Sequence, residues 1–355
     1  MAGEWTAARG GVWWEDQGLH LIEQTLLPAE YRVLQPRSLD EVADAIRRLA
    51  VRGAPAIGIA AAYGLVVALD EVQPTSAEEA HRVLSHAAAV LTGTRPTAVN
   101  LAWATDRVLE RTGRVSHESA RAFRDAVLAE ARAIAEEDRE LCRRIGRAGI
   151  EALGEARRIL THCNAGALAT GGYGTATAPL YLLHEQGEPV SVLADETRPL
   201  LQGSRLTAWE LARAGIPVAV TADGASGALM SRGMVDAVIV GADRIAANGD
   251  TANKIGTFNL ALAAAYHGVP FYVAAPFSTF DPNTPEGAAI PIEERDPEEV
   301  LGFRDRRVAP AGAQALNPAF DVTPHTLISA FVTDQGVLRP PYAPAIKALL
   351  REGVS

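Results

Sequence analysis

Five short apolar runs recur in the second half of the chain with helix-compatible stretches between them, and that rhythm leaves few folds open. The runs lie at Arg158–His162, Val190–Ala194, Pro217–Thr221, Ala237–Gly241 and Pro270–Ala275. Between them, Ala176–Gln186, Ser204–Ala214, Ala225–Arg232 and Ala252–His267 are compatible with helices. Strands alternating with helices imply right-handed βαβ units, a parallel sheet and the α/β class. Open α/β sheets bind ligands just beyond the carboxyl ends of their strands. Two of the runs end there in reactive side chains, Cys163 and Asp243. A thiol and a carboxylate delivered from two strands can act as an acid/base pair without a cofactor.

The first part of the chain has a different character. A strand pair is expected near His20–Leu27 and Tyr31–Leu34, and the rest is mostly helical. Ser38-Leu-Asp-Glu41 fits a capping box for a helix running to about Ala50. Ser76–Leu91 and Thr97–Arg111 carry further helical periodicity. Ser116–Leu153 is a charge-laced helical stretch without proline that could join two domains, and the expected division is 1–120 and 121–355. Asp281–Pro297, with four prolines, is an irregular segment of a length that favours a functional loop.

Bulk properties exclude several classes. The net charge of −10 argues against a phosphate-backbone binder, which needs a basic face, but leaves a small anionic substrate open. Two cysteines, Cys142 and Cys163, support neither a disulfide framework nor a four-ligand zinc site. The N-terminus lacks the basic and apolar regions of a signal peptide. Gly53–Leu69 is short for a membrane span, and Gly268 and Pro270 interrupt Ile255–Phe280. A cytoplasmic protein without nucleic-acid or membrane partners is expected.

Several segments carry candidate chemistry. In Arg52-Gly-Ala-Pro-Ala-Ile-Gly58, Pro55 suits a first helical turn, so the amides of Gly53 and Ala54 with Arg52 can form an anion site or simply a tight helix junction. Arg95-Pro-Thr-Ala-Val-Asn-Leu101 places a second arginine before a helix that Thr97 could cap. The glycine-rich segment Cys163–Gly174 follows a strand but has neither dinucleotide nor P-loop spacing. Asp195-Glu196 therefore only imitates a ribose-binding carboxylate. His162 and Cys163 are neighbours at a strand end and should point to opposite faces, which disfavours a thiolate–imidazole dyad. Cys163 alone is equally compatible with a small buried hydrophobe, and Cys142 reads as structural. Asp243 faces either desolvation or a partner, and Arg244 could make it a salt-bridged turn. Asn253 and Lys254 are expected to begin the next helix and to reach a ligand above the same sheet edge. The eight histidines show no metal-ligand spacing, so no metal is expected.

As an ordered set these segments resemble the methylthioribose-1-phosphate isomerase family. The resemblance adds Glu196-Thr-Arg-Pro199, Gln202-Gly-Ser-Arg-Leu206, Gly241-Ala-Asp-Arg244, Asn253-Lys-Ile-Gly-Thr257, Ile290-Pro-Ile-Glu-Glu-Arg295 and Asn317-Pro-Ala-Phe-Asp-Val-Thr-Pro324. The wider superfamily contains ribose-1,5-bisphosphate isomerases and regulatory subunits of the exchange factor of eukaryotic translation initiation. The resemblance implies a smaller, mainly helical N-terminal domain with a few strands, a Rossmann-like C-terminal domain, a homodimer, and an active site in the interdomain cleft. It implies Asp243 as proton donor/acceptor, Cys163 in support, and Arg52, Gly53, Ala54, Arg95, Gln202, Asn253 and Lys254 as substrate-binding residues, with no cofactor.

The implied reaction is a step of methionine salvage: 5-methylthioribose 1-phosphate becomes 5-methylthioribulose 1-phosphate. The anomeric oxygen carries a phosphate, so an acid must protonate the ring oxygen before hydrogen moves from C2 to C1. A carboxylic acid neutral at pH 7 needs a raised pKa, and a low-dielectric strand end is where that is expected for Asp243. Isomerisation of ribose 1,5-bisphosphate or 5-deoxyribose 1-phosphate, or a non-catalytic sensing role, remain alternatives.

Overall fold

A computed structural model describes residues 5–95, 98–114, 118–303 and 306–352. The α/β chain divides into two compact units, Met1–Cys142 with Gly166–Gly174, and Arg143–Ala165 with Thr175–Ser355.

The first unit opens with an antiparallel sheet of β1 (Val12–Glu15), β2 (Gly18–Ile22) and β3 (Val33–Leu34). The sequence predicts the β2–β3 pair, but β1 is new and β2 stops at Ile22 rather than Leu27. Asp16 and Gln17, both at positive φ, turn β1 directly into β2, as a tight hairpin requires.

Five helices follow: α1 (Leu39–Arg47), α2 (Ala54–Val72), α3 (Ala77–Thr94), α4 (Val99–Gly113) and α5 (Ala120–Leu153). Ser38 Oγ accepts the Glu41 N–H at 3.2 Å, the predicted cap, while the Glu41 carboxylate takes the N–H of Arg37. The N–H it accepts lies one residue before the Ser38 N–H that a full capping box would use. α1 ends short of Ala50 because Leu49 turns to φ +63°. Thr97 and Ser116 lie outside the described residues, and Ala98 stands at the start of α4. The boundary between the units falls within α5.

α2 extends to Val72, beyond the run seen in the sequence, and is long and apolar enough to cross a membrane. A helix that is apolar all round must be covered on every side. Here Ala56–Leu69 are all buried in the core cluster of the first unit, with Val42 and Ile46 of α1, Leu84 and Leu91 of α3 and Leu101 and Val108 of α4.

The second unit runs β4 (Arg158–Thr161), α6 (Ala178–Glu185), β5 (Ser191–Asp195), α7 (Ala208–Arg213), β6 (Val218–Thr221), α8 (Ser226–Ser231), β7 (Ala237–Val240), β8 (Arg244–Ala246), β9 (Thr251–Lys254), α9 (Thr257–His267) and β10 (Phe271–Ala274). It continues with β11 (Phe280–Asp281), α10 (Glu298–Leu301), β12 (Gly302–Phe303), β13 (Arg306–Arg307), β14 (Phe320–Thr323), β15 (Ala330–Thr333), β16 (Gly336–Leu338) and α11 (Tyr342–Glu352). The five predicted strands are β4, β5, β6, β7 and β10.

They lie in a seven-stranded sheet of order β16-β15-β10-β7-β4-β5-β6, parallel except for the antiparallel β16. From β4 the chain first builds outward through β5 and β6, then returns to the other side of β4 with β7 and β10. The order therefore reverses between β4 and β7, and a reversal of this kind opens a crevice at the carboxyl ends. A second sheet, β11-β8-β9-β14, uses segments that the sequence left irregular or helical.

Candidate active site

Cys163 and Asp243 follow the two strands that flank the reversal. β4 and β7 pair in register, Leu160 opposite Val238, so their continuations emerge side by side.

Past Thr161 the chain leaves strand geometry. Cys163 is half-buried and adopts φ +64°, a conformation that costs a side-chain-bearing residue free energy and must be held by its surroundings. Its N–H donates to Thr197 Oγ1 at 2.9 Å, and its carbonyl accepts from Thr207 Oγ1 at 2.6 Å. Thr197 is also left-handed, and its N–H and that of Arg198 donate to the carboxylate of Asp223 at 2.7 and 2.8 Å. Three segments thus fix the backbone of one cysteine.

His162 does not serve Cys163. Its ring is buried, with Nδ1 3.0 Å from Asp195 Oδ2 and Nε2 2.9 Å from the Ile255 carbonyl oxygen. Burial opposes a charge on the ring, but the hydrogen bond and charge of Asp195, then Asp223 and the Ile255 carbonyl, outweigh it and raise the pKa of His162. Asp195, which resembled a ribose ligand in the sequence, is instead the partner of this histidine, and also accepts Ser226 Oγ at 2.9 Å.

His162, Asp195 and Asp223 bring ligand-type atoms within 4.8 Å of one another, although no spacing in the sequence signals it. Both ring nitrogens are occupied by hydrogen bonds and both Asp223 oxygens accept backbone N–H groups, so the cluster is a hydrogen-bonded one.

Asp243 lies in a bend between β7 and β8, with its N–H donating to the Ala252 carbonyl at 2.9 Å. Its side chain is exposed, which corrects the expectation of a low-dielectric setting: the apolar run stops at Val240, and Gly241-Ala242 carry the carboxylate clear of the core. Arg244 forms an ion pair with Asp281 at 3.5 Å.

Asn253 and Lys254 do not begin a helix. They end β9, where Asn253 pairs with Asp321 and Lys254 with Phe320 of β14. Gly256, at φ +104°, delays α9 until Thr257. Asn253 Nδ2 donates to Thr257 Oγ1 at 3.1 Å, and Lys254 Nζ lies 4.6 Å from the Phe320 ring centre. Because Asp243 bonds Ala252, Asn253 is adjacent to it through the β8–β9 ladder. Gln202 opens a wide, π-type turn at Gly203–Thr207 that leads into α7. It is 7% exposed, and its Oε1 has no hydrogen-bond partner among the described residues. An unsatisfied buried acceptor is costly, and a ligand hydroxyl would satisfy it.

In the first unit, Arg52, Gly53 and Ala54 lead into α2 as predicted, with Pro55 in its first turn and no acidic residue there. Gly53 holds φ +94°, and a Cβ at that position would come within 2.6 Å of the Cα of Ala169, so only glycine fits. Arg95 stands at the end of α3. Asp138 of α5 accepts the Gly171 N–H at 2.6 Å, and burial pushes its carboxyl up to about 6 despite that bond.

A family model described as the initiation factor 2 subunit family matches residues 50–340. The chain belongs to that family. It is 52% identical to a protein of Moorella thermoacetica named 5-deoxyribose 1-phosphate isomerase, over 95% of this chain and 96% of that one. It is 51% identical to the methylthioribose-1-phosphate isomerase of Roseiflexus castenholzii, over 96% and 97% of the two chains. The crystal structure of 5-methylthioribose 1-phosphate isomerase from Pyrococcus horikoshii aligns with a TM-score of 0.93 at 44% identity, covering 98% of this chain and 97% of that one.

Proposed function

We propose that this chain is an aldose–ketose isomerase that converts 5-methylthioribose 1-phosphate to 5-methylthioribulose 1-phosphate. The observation that carries the reading is the delivery of Cys163 and Asp243 from β4 and β7 to the one place where the strand order reverses. Near end-to-end likeness to sugar 1-phosphate isomerases supplies the substrate class.

In this reading Asp243 protonates the ring oxygen as its bond to C1 breaks. Hydrogen then passes from C2 to C1, and the C2 hydroxyl returns a proton to Asp243, which leaves the ketone at C2 and the phosphate on C1. Because Asp243 is exposed in the structure, the substrate itself must cover the carboxylate to favour its neutral form. Cys163 stands over C1–C2 as a polar partner, and no covalent intermediate is required. Gln202, Asn253 and Lys254 hold the sugar, while Arg52, Arg95 and the amides of Gly53 and Ala54 bind the phosphate at the start of α2. The same reading makes the protein a cytoplasmic homodimer with a Rossmann-like second domain that uses no cofactor.

The Moorella relative gives a specific reason to weigh 5-deoxyribose 1-phosphate as the substrate instead. Side-by-side turnover of methylthioribose 1-phosphate, 5-deoxyribose 1-phosphate and ribose 1,5-bisphosphate decides between them. The methylthio compound is expected to give the highest kcat/KM. Preference for another sugar changes the substrate, and no turnover of any of them rejects the enzyme. Substrate deuterated at C2 separates two routes: label lost to solvent means proton transfer, and full retention means a hydride shift.

A further inference from the structure

Beneath the proposed site lies a buried His162–Asp195 pair that the chemistry above does not use. His162 is 1% exposed and Asp195 is 1% exposed, at the ends of neighbouring strands β4 and β5. The Nε2 of His162 faces the carbonyl oxygen of Ile255, which can only accept, so Nε2 carries a proton. Nδ1 faces the Asp195 carboxyl on β5, which burial raises while the ring and Ser226 draw it down, and Asp223 after β6 and Asp321 on β14 add acidic groups around the ring. A ring that donates from both nitrogens is an imidazolium.

The ring's position is as constrained as its charge. A Cβ on Gly256 would meet the ring at 2.9 Å, so the β9–α9 turn lies flat against it. The Asp321 carboxylate ties down the far side of that turn, accepting the N–H groups of Gly256 at 2.8 Å and Phe258 at 3.1 Å. On the near side, the residue after His162 is Cys163, and the residues before Ile255 are Asn253 and Lys254.

We propose that His162 is a positioning residue: as an imidazolium bridging Asp195 and the Ile255 carbonyl, it locks the Cys163 turn to the Asn253–Gly256 turn. Thiol and substrate-holding side chains then keep one spacing although they come from different sheets. The inference rests on the roles proposed above for Cys163, Asn253 and Lys254.

Three measurements on the full chain test it. Nitrogen-15 shifts of the His162 ring are expected to show both nitrogens protonated to higher pH than in a free histidine. His162→Gln, which can satisfy only one of the two acceptors, is expected to lose about 100-fold in kcat/KM, as a small misplacement of reacting groups does. Hydrogen exchange at the Gly256 and Phe258 amides should quicken in the same variant.

Should that variant fail to fold, Asp195→Asn serves instead. Without its carboxylate the buried ring holds its second proton less tightly, so the activity of Asp195→Asn relative to wild type should recover as pH falls. A purely structural role would not produce that recovery. A ring that titrates like a free histidine, wild-type kcat/KM in His162→Gln, or a pH-independent ratio for Asp195→Asn each overturns the lock. If the wild-type chain turns over none of the sugar phosphates, the functional reading fails, while ring protonation and amide exchange still decide whether the lock exists.

Discussion

α2 and the His162–Asp195 layer beneath the carboxyl edge of the main sheet are both closed to water, but they are built on opposite principles. From Ala56 to Leu69 every residue of α2 is buried and none is charged. At the sheet edge His162 and Asp195 are buried, and their order depends on hydrogen bonds to each other, to Ile255 and to Ser226. The helix is secured by packing, which tolerates no lost volume but ignores pH. The edge is secured by directional polar contacts, which fix Cys163 in a left-handed conformation that packing alone would not select. A reactive group held this way is placed accurately and is sensitive to single-atom changes around it.

The largest expected effect lies at the edge. Asp243→Asn should cut kcat by about 10²–10⁴-fold, the range for a general acid/base. Near-normal turnover would remove Asp243 from the mechanism. Cys163→Ser keeps a small polar group and should cost about 100-fold, toward the low end of that range. Covalent labelling of the thiol by substrate would show instead that it acts as a nucleophile.

For the helix, Leu65→Ala removes a fully buried side chain and should destabilise the chain by about 2–5 kcal/mol in denaturant unfolding, equally at low and high pH. A pH-dependent loss would blur the distinction between the two regions.

Asp138 breaks the comparison from within, since it is a buried carboxyl in the first unit. Its pKa in the fold is about 6 against an ordinary 3.8, so the unfolded chain releases this proton first as pH rises. Stability should therefore fall between about pH 4 and pH 6, by about 3 kcal/mol, and stay lower above that window. Asp138→Asn, whose amide oxygen can still accept from Gly171, should flatten this dependence in thermal melts. An unchanged pH profile would mean that other groups set it.

Elements that rest on short-range pattern were legible in the sequence. Ser38 caps α1, Pro55 opens α2, and the five apolar runs became β4, β5, β6, β7 and β10, because periodicity and capping act over a few residues. Failures came where distant segments decide. Ala252–Lys254 reads locally as a helix start, but β14, nearly seventy residues later, recruits it as part of a strand. Asp195 imitated a cofactor ligand because nothing local announces His162, thirty-three residues before it.

The sequence by itself determined that an α/β sheet would carry a thiol and a carboxylate on two strand ends, since alternation of strand and helix patterns suffices for that. Only the tertiary structure decided that those strands are neighbours at the reversal of strand order, that Asp243 stands exposed while Cys163 is held left-handed, and that a buried histidine bonded to Asp195 lies beneath. The physical reason is range. Periodicity is a property of adjacent residues, whereas strand order, burial and the charge on a ring depend on groups brought together from across the chain.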